Sequence, residues 1–245
     1  MKKTLCAIAL SLCAAGSANA QLDLSAADLK ITELWSGVSG PDATSDWFEV
    51  TNFGSGAATG LDGNVYYDDD SFDPTKNDPL IGIDTIAPGE SVVVLVSWED
   101  DWATAQDAID DFVTQWGAPN GNLAGVQIGY ISDGSGLGSG SDAVTLFDGN
   151  LLTSEIIDGA IYPTGGLNET YVAELNGDFL TAPGNIIEAP ARLAVVGQLG
   201  AYESNGLAGD DAAGHSIGSP GTVVPEPASL ALIGLGLAAL ARRRR

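Results

Sequence analysis

The chain has 245 residues, with 33 acidic against 9 basic side chains and a formal charge of −24. Between Gln21 and Val224 the imbalance is sharper, because 32 carboxylates face only Lys30, Lys76 and Arg192, which leaves −29. A field of that sign repels phosphate backbones and offers few cations to neutralise one, which argues against nucleic acid as a partner, while 44% hydrophobic residues suffice for one sizeable core.

The first twenty residues read as a secretory signal peptide: Lys2 and Lys3, an apolar run from Leu5 to Leu12, then small residues closing on Ala18-Asn19-Ala20. Cleavage after Ala20 is expected to start the mature chain at Gln21. Both cysteines, Cys6 and Cys13, leave with this segment, so the mature chain has no thiol, disulfide or Cys nucleophile.

From Gln21 to Thr222 the pattern is that of one domain, mostly β. Short runs rich in β-branched and aromatic residues recur at Leu29 to Trp35, Asp46 to Asn52, Ser91 to Trp98, Gly125 to Ile131, Asp142 to Asp148, Glu155 to Tyr162, Tyr171 to Leu175 and Arg192 to Leu199. Gly, Pro, Asn and Asp separate them, which is the spacing of a β-sandwich or barrel. Pro88-Gly89 and Asp148-Gly149 are turn signals. Glu33 and Glu49 interrupt two of the strands; with so few cations to pair with, they are expected to face outward.

One segment changes period. Trp102, Ala105, Ile109, Phe112, Val113 and Trp116 share one face of an amphipathic helix, with acidic residues at Asp100 and Asp101 before it and Gly117 after it. This helix is expected to cap an open end of the sandwich, with Trp102, Phe112 and Trp116 as core.

Two acidic stretches, Tyr67 to Asp78 and Trp98 to Trp102, cluster hard oxygen ligands, and Asp68, Asp69, Asp70 and Asp73 are the candidate ligands of a calcium ion. The EF-hand pattern fails there, since Phe72 occupies the third ligand position. The alternative for this charge is a solvated surface that keeps an exported protein soluble. Gly214-His215-Ser216-Ile217-Gly218 matches the nucleophile elbow of α/β-hydrolases, but its flanks are loop-like and His215, the sole histidine, lies inside the elbow. Carboxylate-only chemistry stays open, because this many carboxylates can be paired at almost any spacing.

The chain closes with Val224-Pro225-Glu226-Pro227, an apolar run from Ala228 to Ala241 and Arg242, Arg243, Arg244 and Arg245. Fourteen residues span about 21 Å as a helix against a hydrocarbon core of about 30 Å, short for a permanent anchor but able to insert with arginines at the interface. The positive-inside rule keeps the arginines cytoplasmic and the acidic domain outside.

Two stretches of the chain resemble known families. ITELW, DWFEVTNFG, IAPGESVVVL, GLGSGSDAVTLFDGN and GHSIGSPGTV occur in the order seen in the lamin-tail domain family, in patches from Leu29 to Val223, with no landmark from Phe179 to Ala191. That resemblance implies an all-β, immunoglobulin-like sandwich used as an interaction module, without catalytic residues to carry over. The tail from Val224 to Arg245 closely resembles the PEP-CTERM sorting signal, which implies recognition by exosortase in exopolysaccharide-making Gram-negative bacteria, transient insertion in the inner membrane, and delivery to the outer surface or extracellular matrix. The combined expectation is a non-enzymatic surface or biofilm-matrix protein that binds exopolysaccharide or surface proteins and needs no cofactor. The rivals are a secreted carboxylate-dependent hydrolase, betrayed by a concave pocket holding two close carboxylates with displaced pKa values, and a calcium-stabilised adhesin.

Overall fold

A computed structural model describes residues 21–37, 44–73, 75, 78–132, 135–138, 140, 142–149, 154–162, 169–172, 192–206 and 215–222. The signal-peptide positions Ala18 and Ala20, the sorting motif and the arginine cluster lie outside these residues. Among the described residues no helix is long and apolar enough to cross a membrane.

The strands are β1 (Leu29–Trp35), β2 (Asp46–Asn52), β3 (Ala58–Thr59), β4 (Val65–Asp68), β5 (Asp78–Ile81), β6 (Thr85–Ile86), β7 (Ser91–Val96), β8 (Ile128–Ile131), β9 (Asp142–Asp148), β10 (Ile156–Tyr162), β11 (Tyr171–Val172), β12 (Arg192–Leu193), β13 (Tyr202–Glu203) and β14 (Ile217–Gly218), with one helix, α1 (Ala105–Trp116). Ten strands form one sheet in the order β10-β9-β4-β5-β8-β7-β2-β1-β11-β12, and β3-β6 and β13-β14 are two-stranded ribbons.

The sheet folds over a main apolar core, and two strands that change partner along their length make this possible. Asp78 and Pro79 of β5 pair with β4, whereas Leu80 and Ile81 pair with β8. In β1, Glu33 and Leu34 pair with β11, while the Ile31 N–H donates to the Asp158 carboxylate of β10 at 2.7 Å. The sheet is thereby nearly closed, and the two layers that the strand spacing suggests share β5 instead of standing apart. Asp158 can reach β1 because the β9–β10 register shifts between Ile156 and Asp158, a bulge that re-aims the side chain. Lys30 joins the seam, 3.6 Å from Asp158 and 3.4 Å from Asp28.

A second bulge decides which way β1 faces. The β1–β2 register shifts between Ile31 and Glu33, leaving Thr32 as the extra residue. Strict alternation would put Leu29, Ile31, Glu33 and Trp35 on one face. The bulge resets the phase: Leu29, Ile31 and Leu34 enter the main core with Phe48, Val50, Val92 and Val94, and Trp35 joins Trp47, Val93 and Leu95 on the opposite face.

Helix α1 covers that opposite face. Ala108, Phe112 and Trp116 are fully buried against Trp47, with Trp47 packed edge-on at 5.6 Å from Phe112 and 5.5 Å from Trp116. The reason it lies on the sheet and not across an open end is topological. β7 and β8 are parallel neighbours, a parallel pair needs a crossover, and α1 is that crossover. Its N-cap is Thr104, whose side chain accepts from the Asp107 N–H, so the helix starts after Asp100 and Asp101, and Trp98–Asp100 forms a 3-10 turn. No basic residue lies in the last turn. The end carbonyls are satisfied from far along the chain instead: the Asn205 amide donates to the carbonyls of Thr114, Gly117 and Ala118, and the Tyr202 hydroxyl donates to the Trp116 carbonyl at 2.6 Å.

Candidate functional site

The outward placement expected of Glu33 and Glu49 is not what the fold shows. The two glutamates are register partners on β1 and β2, and their residues are 2% and 1% exposed. They lie on the helix-covered face, at the end where hydroxyls replace indoles. Among the described residues their partners are neutral donors. Glu49 accepts from the hydroxyl of Thr32, the bulged residue, and from the Gly221 N–H at 2.7 Å. Thr32 also contacts Thr51, which bonds Ser91 at 2.6 Å. Glu33 accepts from the Ser219 N–H and hydroxyl, both at 2.8 Å, and from the Thr170 hydroxyl.

Burial pushes both carboxyls above the usual range, against the hydrogen bonds that favour the anion; Glu49, which also feels the charge of Glu33, is pushed up to about 8. The nearby Tyr202 hydroxyl is raised too, by burial and then by the two glutamates.

The lid over the pair is the segment Ser216–Gly221, and glycine makes its close approach possible. A Cβ on Gly218 would sit 2.6 Å from Thr170 and 3.0 Å from both Glu33 and Trp116, and Gly221 has φ of +78°, where other residues are strained. Ser216, the elbow serine, is buried and donates its N–H to the Ser204 hydroxyl at 3.0 Å. The His215 Nδ1 lies 2.8 Å from the Ser204 carbonyl. Ser216 leads directly into β14, a strand, at the place where the elbow requires a helix.

An open hollow of about 620 Å³ lies beside the lid, lined by residues that include Asn120, Asn122, Tyr202, Gly221 and Thr222. Among the described residues its lining carries no carboxylate. Two close carboxylates with displaced pKa values are present, but they are buried behind Ser219 and Gly221 and do not line this hollow.

The four candidate calcium ligands fall at the end of β4 and on the turn that follows, and three of them bond that turn. Asp68 is buried and accepts from the Ser71 hydroxyl at 2.8 Å and from the Asp73 N–H, Asp69 accepts from the Ser71 N–H, and Asp73 accepts from the Thr75 N–H and hydroxyl. Asp70 is exposed. Among the described residues no three of His, Cys, Asp and Glu are grouped to hold a metal ion.

No curated protein and no solved structure matches the chain. Residues 223–245, which begin one residue beyond the lid, match the family model of the PEP-CTERM protein-sorting motif. The chain thus carries the PEP-CTERM sorting motif, which makes it an exported protein with a membrane-transiting tail recognised by exosortase.

Proposed function

We propose that this is a surface or extracellular-matrix protein of a Gram-negative bacterium, delivered by cleavage of its tail, whose β-domain binds or scaffolds and does not catalyse. The sorting motif at residues 223–245 carries this reading. The roles divide among the motif's three parts: Val224 to Pro227 as the recognition and processing site, Ala228 to Ala241 as the transient membrane segment, and Arg242 to Arg245 as the cytoplasmic stop. At the other end, cleavage after Ala20 would leave Gln21 first, and Gln21 is already docked, its carbonyl so close to Gly60 that a Cβ there would be 2.5 Å away. For the domain, the nearly closed sheet and the aligned strands of the resemblance favour a lamin-tail-like interaction module. The sealed glutamate pair weighs against the hydrolase reading, since an acid and base must reach the bond they cleave.

Fractionation with an antibody to the β-domain, combined with mass analysis of the C-terminus, tests the reading. Glu226→Ala is expected to leave full-length protein in the inner membrane, whereas neutral replacement of Arg242 to Arg245 lets the tail slip through and appear outside uncleaved. A plain tail anchor predicts no change for Glu226→Ala, and a surface protein with Arg245 intact in the parent would overturn the proposal.

A further inference from the structure

We propose that Glu33 and Glu49 form a latch on Ser216–Gly221 which sets the length of chain between the folded domain and the sorting motif, and so slows tail removal until the latch opens. This rests on the exosortase reading above and concerns the regulation of the same processing site.

The argument is one of position and reach. Among the described residues, the last held by side chains from the core are Ser219, with both its N–H and hydroxyl on Glu33, and Gly221, with its N–H on Glu49. These bonds join residues 186 and 172 positions apart, so the C-terminal end is clamped to strands from the start of the domain. From Gly221 to Pro225 is four residues, about 14 Å of extended chain, and to Ala228 about 24 Å. A domain of some 200 residues is about 40 Å across by its expected radius of gyration. An enzyme reading Pro225 to Pro227 therefore works in the gap between a body wider than the tether is long and the membrane that holds Ala228 to Ala241. Release of Ser216–Gly221 adds six residues, about 20 Å, and opens that gap. Opening is also discrete, because it removes the Ser219 and Gly221 donors from two buried carboxylates at once.

The test uses the full chain in cells that process it. A Gly-Ser insert of about nine residues between Thr222 and Val223, spanning about 16 Å on average, supplies slack without touching the latch. Pulse-chase with mass analysis of the C-terminus is expected to show tail removal several-fold faster than in the parent, with an unchanged melting midpoint. Ser219→Ala, which removes one donor to Glu33, is expected to accelerate removal less and to add nothing when combined with the insert. In the purified full chain, the Ser219 and Gly221 amides are expected to exchange slowly, and Glu33→Gln to speed them. An insert processed at the parent's rate overturns the proposal, as do Ser219 and Gly221 amides that exchange like free chain. A parent that keeps Arg245 at the surface instead sinks the sorting reading, and the amide exchange still decides whether the latch exists.

Discussion

The two faces of β1, β2 and β7 are built from alternate residues of the same strands, yet they obey different rules. One face, with Leu29, Ile31, Leu34, Phe48, Val50, Val92, Val94 and Val96, is apolar between polar ends at Asp46 and Asn52 and packs into the main core. The other is divided: Trp35, Trp47, Val93 and Leu95 receive α1, while Thr32, Glu33, Glu49, Thr51 and Ser91 receive the end of the chain. Burial of apolar area is non-directional and accepts any surface of suitable shape. The polar half is directional, since each buried carboxyl oxygen demands a donor at a fixed place. A strand set with one face of each kind gains stability on one side and a defined docking position on the other.

The strongest way to break this contrast is to cut neighbouring residues that point to opposite sides. Trp47→Ala and Phe48→Ala should each destabilise by about 3–5 kcal/mol in denaturant unfolding. Only Trp47→Ala should also speed amide exchange in α1, because Phe48 stacks on Tyr67 in the main core and not on the helix.

The polar half can be sharpened by pH. Glu49 titrates near 8 in the fold against an ordinary value of 4.5, and Glu33 and Asp158 are raised as well, Asp158 to about 6. Groups whose folded pKa is raised hold extra protons in the native state, so their contribution is complete below about 4.5 and is lost as pH rises through about 8. Among the described residues the titratable groups facing the pair are the two glutamates themselves and Tyr202, and Asp158 faces Lys30 and the N–H groups of Ile31 and Gly159. Thermal unfolding should show the protein more stable at pH 5 than at pH 8, by on the order of 3 kcal/mol from Glu49 alone. Glu49→Gln should flatten that slope and raise the midpoint at pH 8.

The smallest effect belongs to the seam. Lys30 is partly exposed, so Lys30→Met should change stability by less than about 1 kcal/mol in denaturant unfolding at moderate salt. A larger loss would mean that the ion pair, and not the Ile31 N–H, holds β1 to β10.

What the chain's order of residues made legible was local. LKITELW and DWFEVTN were readable as strands to the residue, and the helical period of α1 gave its buried Phe112 and Trp116. Its start lay at Thr104 because a hydroxyl cap outweighed the acidic pair upstream. VYYD and DPLI were missed as strands: their carboxylates and Pro79 look like loop, and only the partner strands make them a ladder. The glutamate pair was misread for the same reason. Their donors come from Ser219 and Gly221, far along the sequence, and the bulge at Thr32 that turns Glu33 inward beside Glu49 has no local signature. The sorting motif was legible because it is contiguous and is recognised as sequence.

The meeting of β1 and β10 has a consequence for a protein that leaves the cell. An exposed sheet edge is a template on which a second copy can add its own strand, and an exported β-protein at high local concentration is at risk of polymerising that way. Here the β10 end of the sheet meets β1, with Asp158 accepting from the Ile31 N–H and Lys30 of β1 reaching back to Asp158, which places charge where a foreign strand would have to pair. At the other end β12 offers a ladder of two residues, Arg192 and Leu193. Among the described residues neither end is a good template, which favours association through side chains on the faces and loops over extension of the sheet.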